Sequence, residues 1–217
     1  LGQPVLAGLS RAADVAEAGY QGLVIWSPGE LFSAGADLKA MLPAFMSGGV
    51  EAISAAELEM QTILLRLRYA NVPVVAALRG LALGGGCELA VHCSRRVAAM
   101  ESYIGLVEVG VGLVPGGGGL TYLARRAAEN AARSTGKELL PFLTDGFTAA
   151  AMAKVATSAI EARRFGYLQD GDVIVPHKDE LLFVAINEAR AMAASGYRAP
   201  HKRLFPVAGR SGVATIK

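Results

Sequence analysis

The segment GLALGGGCELAVHCS at residues 80–94 constrains the fold of this chain more than any other stretch. An apolar, β-branched run, VVAALRG at 74–80, leads into three consecutive glycines, and a second apolar run follows from Cys87. Each glycine weakens a helix or strand that passes through it by up to about 1 kcal/mol relative to alanine. The segment therefore predicts a strand that ends before the glycines and a helix that begins near Cys87.

Short strands and helices alternate along the rest of the chain. The predicted strands are GLVIW at 22–26, VVAALRG at 74–80, RVAAM at 96–100, parts of 103–114, and DVIVP at 172–176. The predicted helices cover 4–19, the end of 31–42, 50–69, a segment from Cys87, 121–133, 137–143, 148–164 and 178–194. This alternation is typical of an α/β fold with crossover connections, and 217 residues suffice for one domain with a substantial core.

Composition and charge exclude several classes of protein. Hydrophobic residues make up 53% and charged residues 18% of the chain, which argues against disorder. Charges interrupt every apolar run before the roughly 18 residues that a membrane span needs, and residues 1–22 lack the pattern of a signal peptide. The net charge of +2 is too weak to indicate nucleic acid. We therefore expect a cytoplasmic protein with no membrane or nucleic-acid partner.

The cysteines and histidines do not form a metal-binding pattern. Cys87 and Cys93 lie six residues apart and are expected to be reduced thiols. His92, His177 and His201 are far apart in the sequence, so we expect no metal site. The last 20 residues contain basic side chains and no acids, which predicts either a solvated tail or a segment that contacts an anion or a neighbouring surface.

Two loops between a strand and a helix are candidate binding sites for an oxygen that carries negative charge. Backbone N–H groups at the start of a helix point outward at the positive end of its dipole. The triplet lacks the Gly-Lys-Ser/Thr of a phosphate-binding loop and the G-x-G-x-x-G of a dinucleotide site. The segment Ser33–Asp37 has similar character, and one amide from each loop would polarise a carbonyl and stabilise an enolate. The alternative is that the triplet only allows a tight strand-to-helix crossing.

Two glutamates are candidate acid–base groups. Glu88 follows the triplet in the first turn of the predicted helix, where the helix dipole alone also explains an acidic residue. Glu108 is the only charged residue in YIGLVEVGVGLV, residues 103–114. A carboxylate buried among apolar residues is costly unless it is paired or functional. If both glutamates face one pocket, they suit general acid–base chemistry.

These residues together resemble the enoyl-CoA hydratase (crotonase) family. The matching segments are LFSAGADLKAM at 31–41, NVPVVAALRGLALGGGCELAVHCS at 71–94 and YIGLVEVGVGLVPGGGGLTYLARR at 103–126. The resemblance implies a crotonase-like α/β fold, a spiral of ββα units with a helical C-terminal region, without its first strand or strands. It also implies a crotonase-like domain at 1–195, incomplete at its N-terminus, and a basic tail or linker at 196–217.

The resemblance also implies a set of site residues and a reaction. The oxyanion hole falls on the amides of Ala36 and Gly85, and the two hydratase glutamates on Glu88 and Glu108. The segment that binds coenzyme A falls on Ser33, Ala34, Asp37, Leu38, Lys39 and Gly84. The implied reaction adds water across a trans-2-enoyl-CoA. Glu88 would deprotonate the water and Glu108 would exchange the proton at carbon 2.

The C-terminal segment RAPHKRLFPVAGRSGVATIK is similar to the end of the hydratase-like part of bacterial multifunctional β-oxidation proteins. Those proteins also carry an NAD-dependent 3-hydroxyacyl-CoA dehydrogenase. We therefore expect a fragment of such a protein that holds no cofactor itself, with coenzyme A entering as part of the acyl-CoA substrate and NAD binding elsewhere. The expected partners are further copies in a trimer or hexamer, or a dehydrogenase domain. Alternatives on the same fold are an isomerase, a thioester hydrolase, a decarboxylase or a non-catalytic acyl-CoA-binding module.

Overall fold

Four strands and eight α-helices follow one another along residues 1–216, the part of the chain that a computed structural model describes. The strands are β1 (Leu23–Ile25), β2 (Val74–Leu83), β3 (Arg95–Gly105) and β4 (Val173–Val175). The helices are α1 (Gln3–Gly19), α2 (Leu38–Arg68), α3 (Gly85–His92), α4 (Gly119–Arg133), α5 (Leu140–Ala151), α6 (Ala159–Arg164), α7 (Leu181–Ala194) and α8 (Gly209–Ile216). Two 3-10 turns, Glu108–Val111 and Lys178–Glu180, precede α4 and α7.

The strands form one parallel sheet in the order β1-β2-β3-β4, with β2 and β3 in its centre. Side chains of β2 alternate between two buried layers. Val74, Ala76 and Leu78 pack into the larger core cluster with helices α1 to α3, and Val75 and Ala77 pack against α7. A parallel strand covered on both faces needs apolar residues at every position, which explains the uninterrupted run VVAAL. The predicted α/β class is confirmed.

The glycine triplet forms the crossing from β2 to α3. Gly84 has a φ of +52°, a backbone conformation that side chains disfavour, and α3 begins at Gly85, two residues before the predicted start. A Cβ atom on Gly86 would lie 2.7 Å from both the Cβ atom and the carbonyl oxygen of Ser33. Glycine at this position is therefore what lets the 33–37 loop approach the start of α3.

Several predicted element boundaries are wrong. Helix α2 consists of two helical segments that meet at Gly49, whose φ of +60° and ψ of −146° are non-helical, so the two predicted helices are present but without the loop expected between residues 42 and 50. Residues 95–105 form one strand in place of separate segments. The predicted helix at 148–164 is interrupted, since Ala156 pairs with Ile104 in an antiparallel bridge between α5 and α6. These differences arise from contacts between distant segments, which local residue patterns do not contain.

The C-terminal part of the chain is irregular after α7. Residues 197–208 have no regular structure, and α8 follows at Gly209–Ile216. The predicted division at residues 195 and 196 stays a prediction, and its last residue, Lys217, lies outside the described residues. No helix among residues 1–216 is long and apolar enough to cross a membrane.

A buried ion pair joins β3 to the loop before β4. The Nε atom of Arg96 lies 2.7 Å from Oδ2 of Asp172, and their side chains are 3% and 1% exposed. The backbone N–H of Arg96 donates to the other carboxylate oxygen of Asp172 at 3.0 Å, and the N–H of Gln169 donates to Oδ2 at 2.6 Å. The carboxylate of Asp172 therefore has hydrogen-bond donors on both oxygens.

Candidate active site

Two loops meet at the end of β2. Ser33 donates its N–H to the carbonyl of Leu81 at 2.9 Å and accepts from the N–H of Leu83 at 3.0 Å, which ties the 33–37 loop to this strand. A Cβ atom on Gly85 would lie 3.6 Å from the backbone nitrogen of Ala36. The amide groups of Ala36 and Gly85, which the sequence places 49 positions apart, are therefore neighbours in space.

Both of these amide groups remain available for a ligand. Neither N–H donates a hydrogen bond to any acceptor within residues 1–216. Gly85 is the first residue of α3, so its N–H also lies at the positive end of that helix dipole. Two adjacent N–H groups of this kind bind an oxygen that gains negative charge during a reaction.

Glu88 lies one turn along α3, with 1% of its surface exposed. One carboxylate oxygen accepts a hydrogen bond from the N–H of Gly119 at 2.9 Å, and the other fills the space that a side chain on Gly117 would need. Burial raises the pKa of Glu88 to about 7, and the charges of Glu108 and Glu57 act in the same direction. The N–H groups of Gly119 and Gly117 oppose this rise. A carboxyl group that titrates near neutral pH suits general acid–base catalysis.

Glu108 begins the 3-10 turn that follows β3 and is half-buried. A Cβ atom on Gly84 would lie 3.2 Å from Oε1 of Glu108, which places this carboxylate beside the glycine crossing. The other oxygen, Oε2, is buried and has no hydrogen-bond partner within the described part of the chain. Burial is also the main cause that raises the pKa of Glu108. The side chain thus has a free polar atom at the same end of α3 as Glu88.

A third carboxylate, that of Glu57 on α2, belongs to the same site and was missed by the sequence analysis. It is half-buried and occupies the space where a side chain on Gly116 would lie, next to the glycine that contacts Glu88. Its charge raises the pKa of both Glu88 and Glu108. The sequence does contain a pattern that indicates this residue. Glu57 is three and seven positions before Met60 and the fully buried Leu64, which places all three on one face of the helix. Glu51, by contrast, is an exposed glutamate of the same helix.

The residues predicted to bind coenzyme A lie together at the rim of this site. Asp37 caps α2 by accepting from the N–H of Ala40 at 3.1 Å, and Ser33 accepts from the N–H of Gly35 at 3.2 Å. The exposed members are Ala34, Asp37, Leu38 and Lys39, whereas Ser33 is half-buried and Gly84 lies in the crossing itself. Their role in binding stays a prediction.

Leu1 packs against the same loop. Its carbonyl accepts from the N–H of Asp37 at 3.1 Å, and its side chain lies 3.4 Å from where a Cβ atom of Gly85 would be. The described residues hold no group of three or more His, Cys, Asp or Glu side chains placed to bind a metal ion.

Comparison with known proteins relates the chain to a family. The model of the family described as "Enoyl-CoA hydratase/isomerase" matches residues 5–139. A Bacillus subtilis protein named "Probable 3-hydroxyacyl-CoA dehydrogenase" is 35% identical over the whole chain, which covers 27% of that protein. A "Fatty acid oxidation complex subunit alpha" from Colwellia psychrerythraea is 37% identical over 64% of the chain and 19% of its own length. The chain thus spans less than a third of these two relatives.

Solved structures agree with the family match. An enoyl-CoA hydratase from Bacillus anthracis superposes with a TM-score of 0.70 at 27% identity, covering 89% of this chain and 67% of that one. An enoyl-CoA hydratase from Polaromonas sp. JS666 superposes with a TM-score of 0.71 at 25% identity, covering 87% and 66% of the two chains. These matches confirm the predicted crotonase-like architecture.

Proposed function

This chain belongs to the enoyl-CoA hydratase/isomerase family, and from that membership we propose that it catalyses the reversible hydration of a trans-2-enoyl-CoA. One observation carries the proposal. The free N–H groups of Ala36 and Gly85 lie at the same end of α3 as the buried carboxyl group of Glu88 and the half-buried carboxyl group of Glu108. An oxyanion site beside two titratable carboxyl groups supplies the groups that addition of water to an unsaturated thioester requires.

The proposed mechanism uses each of these groups once. The thioester oxygen accepts hydrogen bonds from the N–H groups of Ala36 and Gly85. Glu88 takes a proton from a water molecule whose oxygen forms a bond to carbon 3. The π electrons of the carbon 2–carbon 3 bond move toward the thioester and form an enolate, which the two N–H groups stabilise. Glu108 then gives a proton to carbon 2. To complete the cycle, Glu88 releases its proton to solvent and Glu108 takes one up.

Crotonyl-CoA hydration, measured beside isomerisation of a 3-enoyl-CoA, tests the proposed function directly. We expect hydration to be the faster reaction, because both carboxyl groups are present at the site. An isomerase needs only one acid–base group to move a proton between two carbons of the substrate. Isomerisation without hydration would favour that alternative, thioester cleavage would favour a hydrolase, and acyl-CoA binding without turnover would favour a binding module.

The variant Glu108→Gln is expected to lower kcat for hydration by about 10²-fold, because it removes the proton donor for carbon 2. Glutamine has nearly the same size, so binding of acyl-CoA should change little. The hydration rate is measured for Glu108→Gln and for the control Glu101→Gln, which changes an exposed glutamate on β3. Near wild-type hydration by Glu108→Gln would contradict this role.

The variant Glu57→Gln is expected to shift the acidic limb of the pH profile of kcat/KM to lower pH. Glu57 raises the pKa of Glu88 by like-charge repulsion, so its removal lowers the pH at which the Glu88 base becomes ionised. The control is Glu59→Gln, two residues along the same helix, where the carboxylate instead accepts from the side chain of Gln3. An unchanged limb in Glu57→Gln, or an equal shift in both variants, would refute the effect.

We also infer that the chain is the hydratase-like part of a longer protein with 3-hydroxyacyl-CoA dehydrogenase activity. The support is that the whole of this chain is similar to 27% of the length of a relative that bears that name. On this inference the chain itself takes no NAD and its acyl-CoA substrate supplies the only nucleotide at the site. Reduction of NAD by a 3-hydroxyacyl-CoA, catalysed by the 217-residue chain alone and measured by absorbance, would contradict it. A mass measurement in solution would distinguish a trimer or hexamer from a monomer that pairs with a dehydrogenase domain.

A further inference from the structure

A cavity of about 940 Å³ lies at the C-terminal end of α3, where His92, Cys93 and Ser94 line it, whereas the oxyanion site lies at the N-terminal end. Its walls come from the last turns of α2, from α4 with the preceding glycine loop, and from the irregular segment 197–206, here called the tail segment. Ala36, Gly85 and Glu108 are not part of its lining. The cavity is therefore separate from the groups that carry the proposed hydration, and the inference does not depend on that reaction.

The charge that lines this cavity is strongly positive. Besides Arg96 of β3, which is paired with Asp172, four arginines line it: Arg68 from α2, Arg125 from α4, and Arg198 and Arg203 from the tail segment. Glu129 is the single acid among the described lining residues, and it lies 3.9 Å from Arg125. The other three arginines have no carboxylate within 4 Å in the part of the chain that is described.

Arg68 is the least exposed of the three arginines that lack a carboxylate partner within the described residues. The residue is half-buried, and the central carbon of its guanidinium lies 5.7 Å from the centroid of the Tyr69 ring. Its charge adds to burial in lowering the pKa of His92 on one wall, and it opposes the burial that raises the pKa of Tyr197 on another. A guanidinium removed from bulk water with no counter-ion is costly, and an anion bound beside it would remove that cost.

The size and the other walls indicate an organic ligand rather than a bare ion. A volume of this order accommodates a molecule of nucleotide size, whereas an inorganic anion would fill a small part of it. Tyr197 and Phe205 present aromatic surface, and the hydroxyl of Tyr197 lies 2.8 Å from Oγ of Ser94. Arginines arranged around such a space match phosphate groups because their planar donors bind phosphate oxygens in pairs.

We propose that this cavity is a binding site for an organic diphosphate of nucleotide size, with Arg68 and the two arginines of the tail segment contacting the phosphates. This assignment also gives a role to the basic C-terminal residues that the proposed hydration leaves unused. The glycine loop 116–118 lines the cavity and continues into Gly119, whose N–H holds Glu88. An occupant therefore lies next to the backbone that orients a predicted catalytic carboxyl group.

Calorimetric titration of the full chain with ADP, and separately with inorganic pyrophosphate, tests the site. We expect ADP to bind, and the variant Arg68→Gln to weaken binding by at least about tenfold, since one charge-assisted pair is lost. The double variant Arg198→Gln/Arg203→Gln changes only exposed side chains, so it keeps the test valid if Arg68→Gln unfolds. Arg210→Gln, which removes an exposed charge outside the cavity, is the matched control and should bind like wild type.

The outcomes separate the parts of the proposal. Loss of ADP binding in both cavity variants but not in Arg210→Gln supports the site. No binding of either probe at millimolar concentration overturns it, as does ADP binding that neither cavity variant weakens. If pyrophosphate binds as tightly as ADP, the organic part of ADP contributes no affinity, which contradicts the proposal that the ligand is organic. ADP is also a part of coenzyme A, so only the ADP binding that the cavity variants weaken is assigned to this cavity. The comparison does not use crotonyl-CoA turnover, so failure of the site and failure of the proposed hydratase activity are distinguishable.

Discussion

Replacing Glu88 with glutamine is expected to lower kcat for crotonyl-CoA hydration by about 10²- to 10⁴-fold. Glutamine keeps the size of the side chain and still accepts from the N–H of Gly119, but it takes no proton from water. The loss should fall on kcat, with KM nearly unchanged, because the substrate contacts of the two loops remain. Glu101→Gln, in which an exposed carboxylate of β3 is changed in the same way, should retain full activity.

The same substitution is expected to stabilise the folded chain above neutral pH. The pKa of Glu88 is raised from its ordinary value to about 7, so the folded chain holds a proton that the unfolded chain releases. Wild-type stability is therefore lost as the pH rises from about 4.5 to about 7, whereas Glu88→Gln has no such loss. The difference in unfolding free energy should reach about 3 kcal/mol at pH 8 and nearly vanish at pH 4.

Urea unfolding of both proteins at several pH values measures this difference. A difference that does not grow between pH 4 and pH 8 would show that Glu88 is not buried as a titrating group. If Glu88→Gln still catalysed hydration, Glu88 would not be the base. The conclusion that its side chain is buried would still stand. The activity of this variant thus tests the catalytic role of Glu88, and its stability tests the burial of the same side chain.

Replacing Asp172 with alanine is expected to destabilise the fold by about 3–5 kcal/mol. The change leaves the 3%-exposed guanidinium of Arg96 without its carboxylate, and it removes the acceptor for the N–H groups of Arg96 and Gln169. A domain of this size is stable by about 5–15 kcal/mol, so the loss takes a large part of the total. The midpoint of urea denaturation is the measurement.

Asp170→Ala is the control for this effect, because Asp170 lies in the same loop with an exposed side chain. It should change the unfolding free energy by less than about 0.5 kcal/mol. Arg96→Met/Asp172→Leu, in which both charges are replaced by apolar groups, should recover much of the loss because no buried charge then remains unpaired. A loss below about 1 kcal/mol in Asp172→Ala would show that water reaches Arg96 readily.

Predictions from residue pattern were most accurate where the determinants were local. The apolar run of β2, the glycines and the first turn of α3 lie within about 20 consecutive residues, and the structure has the predicted strand, crossing and helix there. The boundaries failed where a distant partner decides the conformation. Ala156 leaves the helical path to pair with Ile104, and nothing in the sequence around residue 156 specifies that bridge.

The candidate site shows the same division. Glu88 and Glu108 stood out because an acidic residue interrupts an apolar or glycine-rich stretch, which is visible in the sequence alone. Glu57 did not stand out, since glutamates are common on the solvated face of a helix and Glu51 of the same helix is exposed in this way. Only the packing of α2 against the loop that contains Gly116 brings its charge near the other two carboxylates.

The sequence by itself determined the α/β class, the strand-to-helix crossing at Gly84 and the position of Glu88 on the first turn beyond it, because backbone preferences act over a few residues. The tertiary structure alone decided that the amide of Ala36 meets that of Gly85, that Glu57 joins the carboxylates, and that arginines from α2, α4 and the tail segment share one cavity. These contacts join segments that are dozens of residues apart, and their formation depends on the free energy of the whole core rather than on local pattern.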